Sequence, residues 1–260
     1  MQFRAKKSLG QNFLIDKNIL KKIVRVGNIS KDDHILEIGP GTGNLTEYII
    51  KEKPKSTTVV EKDIKLIKIL ENKFKKEIKI INKDVLKLTE DFYDKKFKLY
   101  GNLPYNISTQ ILAYWCLNKQ IKFEKLILMF QKEVADRIIA QVNTKNYSRI
   151  TILSNWKFNI KKILDIKAEC FSPKPKINST LLEFTPKKNI FEIKNPENLE
   201  NITRIFFGHR RKMIKRNFVK LFKNFNDISK LINIKLTDRP QNIPVEKFLM
   251  IVREFENKSC

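Results

Sequence analysis

Three of the seven glycines in this 260-residue chain fall within one pentapeptide, Gly39-Pro40-Gly41-Thr42-Gly43. An apolar run, His34 to Ile38, leads into it and a helical pattern around Leu45 to Lys51 follows, so the cluster sits where a strand gives way to a helix. That concentration asks for a backbone reason. Glycine lets the main chain turn sharply and approach a ligand closely, and the N-terminus of the next helix offers amides with no partner inside the helix. A tight structural turn would use the same residues, and the rest of the chain must decide between the two.

Before the cluster, Asp16 is placed to cap a helix over Lys17 to Val26, where Ile19, Leu20, Ile23 and Val24 recur at helical spacing. After it, short apolar runs at 57–61, 78–82, 97–101 and 125–130 alternate with helical segments near 64–74 and 107–117. This order predicts an α/β fold, a Rossmann-like and mainly parallel sheet with helices on both faces. Residues 147–158, 160–169 and 179–186 are rich in β-branched and aromatic side chains and predict an antiparallel edge. Composition shifts after Pro186, and from Asn195 onward the pattern is helical, punctuated by Gly208, Pro240 and Pro244. The expected division is therefore a domain of residues 1–187, including a basic N-terminal tail, and a small all-helical domain of 188–260.

A dinucleotide fingerprint, G-x-G-x-x-G, would need glycine at the position of Asn44. Counting from Glu37, the chain reads E-x-G-x-G-x-G, the pattern of S-adenosylmethionine-dependent methyltransferases, which hold an amino acid and an adenosine rather than a pyrophosphate. Two carboxylates strengthen that reading, because open α/β sheets bind ligands beyond the carboxyl ends of their strands. Glu61 ends one apolar run and Asp84 follows the next. The first could accept from both ribose hydroxyls and the second from an adenine amine, although Glu61 alone would also suit a nicotinamide cofactor.

Asn102-Leu103-Pro104-Tyr105 follows the next strand and fits the form [N/D]-P-P-Y with a variable second residue. An amine conjugated to an aromatic ring or a carbonyl is planar and a poor nucleophile. Two acceptors on its hydrogens, the Asn102 side-chain oxygen and the Leu103 carbonyl, would draw it towards a tetrahedral form with a usable lone pair. Pro104 fixes the backbone that aims the carbonyl, and Tyr105 offers a ring for stacking.

The formal charge of +25 favours a polyanionic partner, although a genome rich in Lys, Ile and Asn codons could account for part of the lysine excess. Clustering is more telling. Between Gly208 and Lys223 stand Arg210, Arg211, Lys212, Lys215, Arg216, Lys220 and Lys223 with no acidic residue, while Ile214, Phe218, Leu221 and Phe225 recur on one helical face. Arg4, Lys6 and Lys7 form a second basic site in the tail. In Cys170-Phe171-Ser172-Pro173-Lys174-Pro175-Lys176 two prolines would stiffen a loop that displays Phe171 to an extruded base and Lys174 and Lys176 to a phosphate backbone, although a core phenylalanine on a proline-rich connector would use the same residues. Three cysteines without C-x-x-C spacing and two distant histidines fit neither a disulfide framework nor a metal centre, and no run approaches the roughly 18 apolar residues of a membrane span. A reducing cytoplasm is the expected setting.

The segments KSLGQNFL, EIGPGTGNLT, VVEKD, GNLPYNIST and FSPKPKINST together resemble the ribosomal RNA adenine dimethyltransferase family over nearly the whole chain, nearest its housekeeping small-subunit type. The resemblance implies S-adenosylmethionine as cofactor. Asn12 and Leu14 would close over its methionine end, Gly39 and Gly41 would contact it, Glu61 would take the ribose and Asp84 the adenine, and Asn102 would border both cofactor and target. Leu103 and Pro104 would serve the target amine, with Tyr105 and Phe171 enclosing a flipped adenine. The implied reaction is dimethylation of the 6-amino groups of two adjacent adenosines in a 3′-terminal hairpin of small-subunit (16S) rRNA, by a monomer acting on a pre-mature 30S-type particle. Three alternatives stay open on sequence: a resistance paralogue acting on large-subunit RNA, a non-catalytic assembly or transcription factor, and a protein-amide methyltransferase.

Overall fold

Asp16 caps the first helix as its position predicts. Its carboxylate accepts from the N–H groups of Asn18 and Ile19, each at 2.9 Å, and α1 runs Lys17–Gly27. The computed structural model describes residues 11–93 and 95–258, so Arg4, Lys6, Lys7 and Cys260 lie outside the described residues. Strand β1 (Phe13–Leu14) precedes α1, and the alternation follows as β2 (His34–Ile38), α2 (Asn44–Lys51), β3 (Ser56–Glu61), α3 (Ile64–Phe74), β4 (Lys79–Asn82), β5 (Phe97–Asn102), α4 (Ser108–Leu117) and β6 (Phe123–Gln131). The helix α5 (Lys132–Ile138) leads to α6 (Arg149–Lys157), β7 (Phe158–Ile166), β8 (Phe171–Ser172) and β9 (Ser179–Pro186).

Seven strands form one sheet in the order β4-β3-β2-β5-β6-β9-β7. The pairs β2–β3, β3–β4, β2–β5 and β5–β6 are parallel, and β9 runs antiparallel to β6. The chain steps outward from β2 to β4 and then returns to the other side of β2, which makes the β2/β5 boundary the switch point where such sheets open a crevice. On β2, Ile35 and Leu36 are wholly buried, as are Leu99 and Tyr100 on β5, the burial expected of parallel strands covered on both faces.

One expectation fails. Residues 147–158, read as an edge strand, contain the helix α6. Ile150, Thr151, Ile152, Leu153, Ser154, Trp156 and Lys157 are all buried, and a helix buried on nearly every side carries no 3.6-residue polar period to betray it. Ser148 starts it, its N–H donating to the Thr151 hydroxyl at 3.0 Å.

The chain divides into two compact units. One holds the residues up to Leu112 with Gln120–Ala135 and Asn159–Pro186. The other holds Ala113–Lys119, Asp136–Phe158 and the described residues from Lys187 onward, so it takes up two segments that a cut at 187/188 leaves with the sheet. In the second unit lie α7 (Pro196–Phe207), α8 (Lys215–Leu221), α9 (Phe225–Ile232) and α10 (Val245–Lys258). Phe206 centres its core, edge-on to Phe218 at 5.9 Å and to Phe248 at 5.4 Å. Among the described residues no helix is long and apolar enough to cross a membrane, and no group of three His, Cys, Asp or Glu could hold a metal ion.

Candidate functional site

The carboxyl ends of β2, β3 and β5 open on a cavity of about 350 Å³. Its floor is the glycine turn: Gly39, Gly41 and Gly43 have φ of +68°, +59° and +77°, a region that favours glycine. At Gly41 space adds to strain, because a Cβ there would fall 2.6 Å from the ring of Phe13. The turn and the N-terminal segment thus fit only when residue 41 has no side chain.

Asn12, Gly39, Gly41, Glu61, Asp84, Asn102, Leu103, Pro104 and Tyr105 all line this one cavity. Apolar walls come from Ile38, Val60, Leu66, Val85 and Ile107. Leu14 lines instead an adjoining crevice of about 30 Å³, with Glu37, Asn44 and Met129; the crevice shares Phe13, Gly39 and Asn102 with the cavity. Its carbonyl accepts from the Asn44 side-chain amide at 2.8 Å, which ties the N-terminal segment to the start of α2.

Three carboxylates lie here in different environments. Glu37 is fully buried with Oε2 accepting from the Thr46 hydroxyl at 2.6 Å, and burial pushes its pKa up to about 7. Burial also raises that of Glu61, against the pull of backbone N–H groups of Asp63, Lys62 and Gly41; Oε1 accepts from Lys62 at 2.8 Å and Asp63 at 2.9 Å. Asp84 is held below its ordinary value, first by the ammonium of Lys62 at 2.8 Å from Oδ2. Its Oδ1 accepts from Leu86 N–H at 3.1 Å.

Asn102 ends β5, and its Nδ2 donates to the Asn12 carbonyl at 2.8 Å. The Tyr105 and Ser179 hydroxyls share a hydrogen bond of 2.5 Å. Ile107 N–H returns to the Pro104 carbonyl at 3.1 Å, which closes the turn that carries Leu103 to Tyr105. Leu103 itself is buried, its side chain filling the space a Cβ on Gly101 would need.

Phe171 requires a correction. Its ring is only 3% exposed, packed with Leu14, Leu20, Ile166 and Leu181, and its strand β8 pairs with β1 so that Leu14 lies opposite Phe171. Alternation along β8 turns Phe171 into the core and Ser172 to solvent, so the ring is not displayed as the sequence suggested. Lys174 and Lys176 are both exposed, and Lys174 pairs at the surface with Glu169 at 2.5 Å.

The basic segment is also arranged differently from one long amphipathic helix. A turn occupies 208–213, α8 begins at Lys215, and its face closes with Ile214, Phe218 and Phe222 buried, while Phe225 opens α9. Arg211, Lys212, Lys215 and Arg216 are exposed. Arg210 is not a free outward charge: its guanidinium donates to the Lys145 carbonyl at 2.7 Å and to Gln241 Oε1 at 3.2 Å. Sequence reasoning missed Phe13, Lys62 and Ser179 as parts of the site, although each stands inside or beside a motif already singled out.

Known proteins resemble this chain along nearly its whole length. The family profile described as Ribosomal RNA adenine dimethylase matches residues 2–257. A Pelagibacter ubique (strain HTCC1062) protein named Ribosomal RNA small subunit methyltransferase A is 55% identical over 260 residues, covering 99% of each chain. The protein of that name from Malacoplasma penetrans (strain HF-2) is 41% identical, covering 98% of this chain and 93% of its own. The crystal structure of a dimethyladenosine transferase from Plasmodium falciparum superposes with a TM-score of 0.79 at 27% identity, covering 95% of this chain and 98% of that one. That of the 23S rRNA methyltransferase ErmE shares the fold, with a TM-score of 0.70 at 22% identity, covering 94% and 99%.

Proposed function

The chain belongs to the ribosomal RNA adenine dimethylase family, and on that footing we propose that it dimethylates the 6-amino groups of two adjacent adenosines in the 3′-terminal hairpin of small-subunit (16S) rRNA, using S-adenosylmethionine. One observation carries the reading: Glu61, Asp84 and Asn102 to Tyr105, from the ends of neighbouring strands, line a single cavity over the glycine turn. Its volume of about 350 Å³ lies within the usual range for small-ligand pockets.

The residues present fit S-adenosylmethionine. Glu61 keeps a buried carboxylate at the strand end for a ribose diol, Asp84 stays ionised to accept from an adenine amine, and Ile38, Val60 and Val85 supply apolar walls. Gly39 and Gly41 let the backbone approach, and Asn12, with Leu14 behind it, encloses the side nearest Asn102. When bound, S-adenosylmethionine supplies a methyl group on a sulfonium, open to attack by a nucleophilic nitrogen.

The chain's task is to make the adenine amine such a nitrogen. With Nδ2 engaged by the Asn12 carbonyl, the Asn102 amide turns Oδ1 to the other side, where it can accept one amine hydrogen; the Leu103 carbonyl would accept the other. Lone-pair density then returns to the nitrogen, and one N–H proton leaves with each transfer. Pro104 holds the turn and Tyr105, its hydroxyl anchored by Ser179, serves as the platform for the base. Exposed Arg211, Lys212, Lys215, Arg216 and Lys176 supply phosphate contacts, with the 188–260 region as the helical RNA-binding part, in a cytoplasmic monomer acting on an assembling small subunit.

The test incubates the protein and labelled S-adenosylmethionine with unmethylated small subunits and, separately, with large ones, then maps the modified bases. Dimethylation of two adjacent adenosines in the small-subunit RNA is expected. Label confined to the large subunit, or none, would overturn the proposal.

A further inference from the structure

Resting on the reading that Glu61 and Asp84 hold the adenosine of S-adenosylmethionine, we propose that Lys62 is the positioning residue that fixes both carboxylates and selects for the adenine amine. Lys62 touches both groups. Its backbone N–H donates to Glu61 Oε1 at 2.8 Å, a bond that substitutions at 62 keep, and its ammonium reaches Asp84 Oδ2 at 2.8 Å. The reach is short because β3 and β4 are neighbours, with Glu61 opposite Asn82. Asn82 also holds the backbone at this point, its Nδ2 donating to the carbonyls of Glu61 at 3.1 Å and Lys62 at 3.4 Å.

A carboxylate bound at one oxygen can still swing. That of Asp84 is bound at both, Oδ1 by Leu86 N–H and Oδ2 by Lys62, so its plane is set while each oxygen keeps a second lone pair. An exocyclic amine can donate into that fixed plane. A keto oxygen in the same place would face the two anionic oxygens of Asp84, with the Leu86 N–H already given to Oδ1 and one Lys62 N–H to Oδ2, so the arrangement favours a ligand that donates over one that accepts. Lys62 lines the same cavity as Asp84 and Leu86, and its methylene stem can cover a flat base while the ammonium stays at the rim, where the side chain is 65% exposed.

Exposure limits the size of the effect, since solvent-accessible ion pairs contribute weakly. Calorimetry on the full chain with S-adenosylhomocysteine and with S-inosylhomocysteine, its keto analogue, tests the proposal in wild type, Lys62→Met and Lys62→Arg. Lys62→Met keeps the stem and is expected to bind S-adenosylhomocysteine about three- to fivefold more weakly at low salt. It should also prefer it less over the keto analogue, and Lys62→Arg should restore both. Near 1 M salt the difference between wild type and Lys62→Met should shrink, because screening already removes the ion pair. Unchanged or tighter binding by Lys62→Met, or an equal loss for both ligands, overturns the inference while leaving the cofactor reading intact. A wild-type protein that binds neither ligand overturns both.

Discussion

The side-chain amide of Asn102 donates to the backbone carbonyl of Asn12 at 2.8 Å. A carbonyl can only accept, so this contact decides which end of the amide faces the N-terminal segment and leaves the oxygen for the other side. Asn102→Ala should therefore lower methyl transfer by about a hundred- to a thousandfold, the usual cost of removing one charge-stabilising partner. Labelled methyl incorporation measures this, with thermal melting as the control that the half-buried position has not unfolded the sheet. Near-native activity in Asn102→Ala would remove the amine-activation mechanism.

Tyr105 and Ser179 share one hydrogen bond of 2.5 Å, so their truncations should not add. Tyr105→Phe and Ser179→Ala each remove the same hydrogen bond, worth about 1 kcal/mol. The double variant should have the kcat/KM for RNA of the worse single one. Additive losses would show that the two hydroxyls act separately.

Glu37 predicts a pH dependence of stability. Its pKa rises from an ordinary 4.5 to about 7 on folding, so between those values the unfolded chain is charged there while the folded one stays neutral. Wild-type stability should fall across that window relative to Glu37→Gln, which keeps an acceptor for the Thr46 hydroxyl. The loss should be complete above pH 7 and absent below about 4.5, with a size on the order of 3 kcal/mol. Melting curves of both proteins without ligand give the comparison, and parallel pH profiles would refute it.

The exposed basic residues of the second unit predict a salt effect. Neutralising Arg211, Lys212, Lys215 and Arg216 together should weaken RNA binding and reduce the slope of log K against log salt by roughly 0.7 to 0.9 for each phosphate left without its cation. Arg210→Ala should behave differently, lowering the melting temperature by releasing Lys145 and Gln241. An unchanged slope in the quadruple variant would take this surface out of the interface.

What could be read in advance followed from local signals. The glycine turn, the two carboxylates and Asn102 to Tyr105 all sit at strand ends that alternation with helices makes legible, and there they line one cavity. The helix α6 was not legible because its burial removes the polar period, and β-branched residues then imitate a strand. Phe171 misled for the opposite reason: flanking prolines and lysines read as an exposed loop, while pairing with β1, more than half the chain away, turns the ring inward. The parts played by Ser179 and Lys62 depend on distances across strands, which no spacing along one strand encodes.

The pairing of β1 with β8 also sets a timetable. Phe13 lies opposite Ser172 and Ile15 N–H donates to the Cys170 carbonyl, so the segment that walls the site near Asn102 depends on residues made much later. Chains emerge from the ribosome N-terminus first. The glycine turn precedes its wall's partner in the chain, and that wall has nothing to pair with until Ser172 is out, so a growing chain stays unable to close the cavity until it has been made past residue 172.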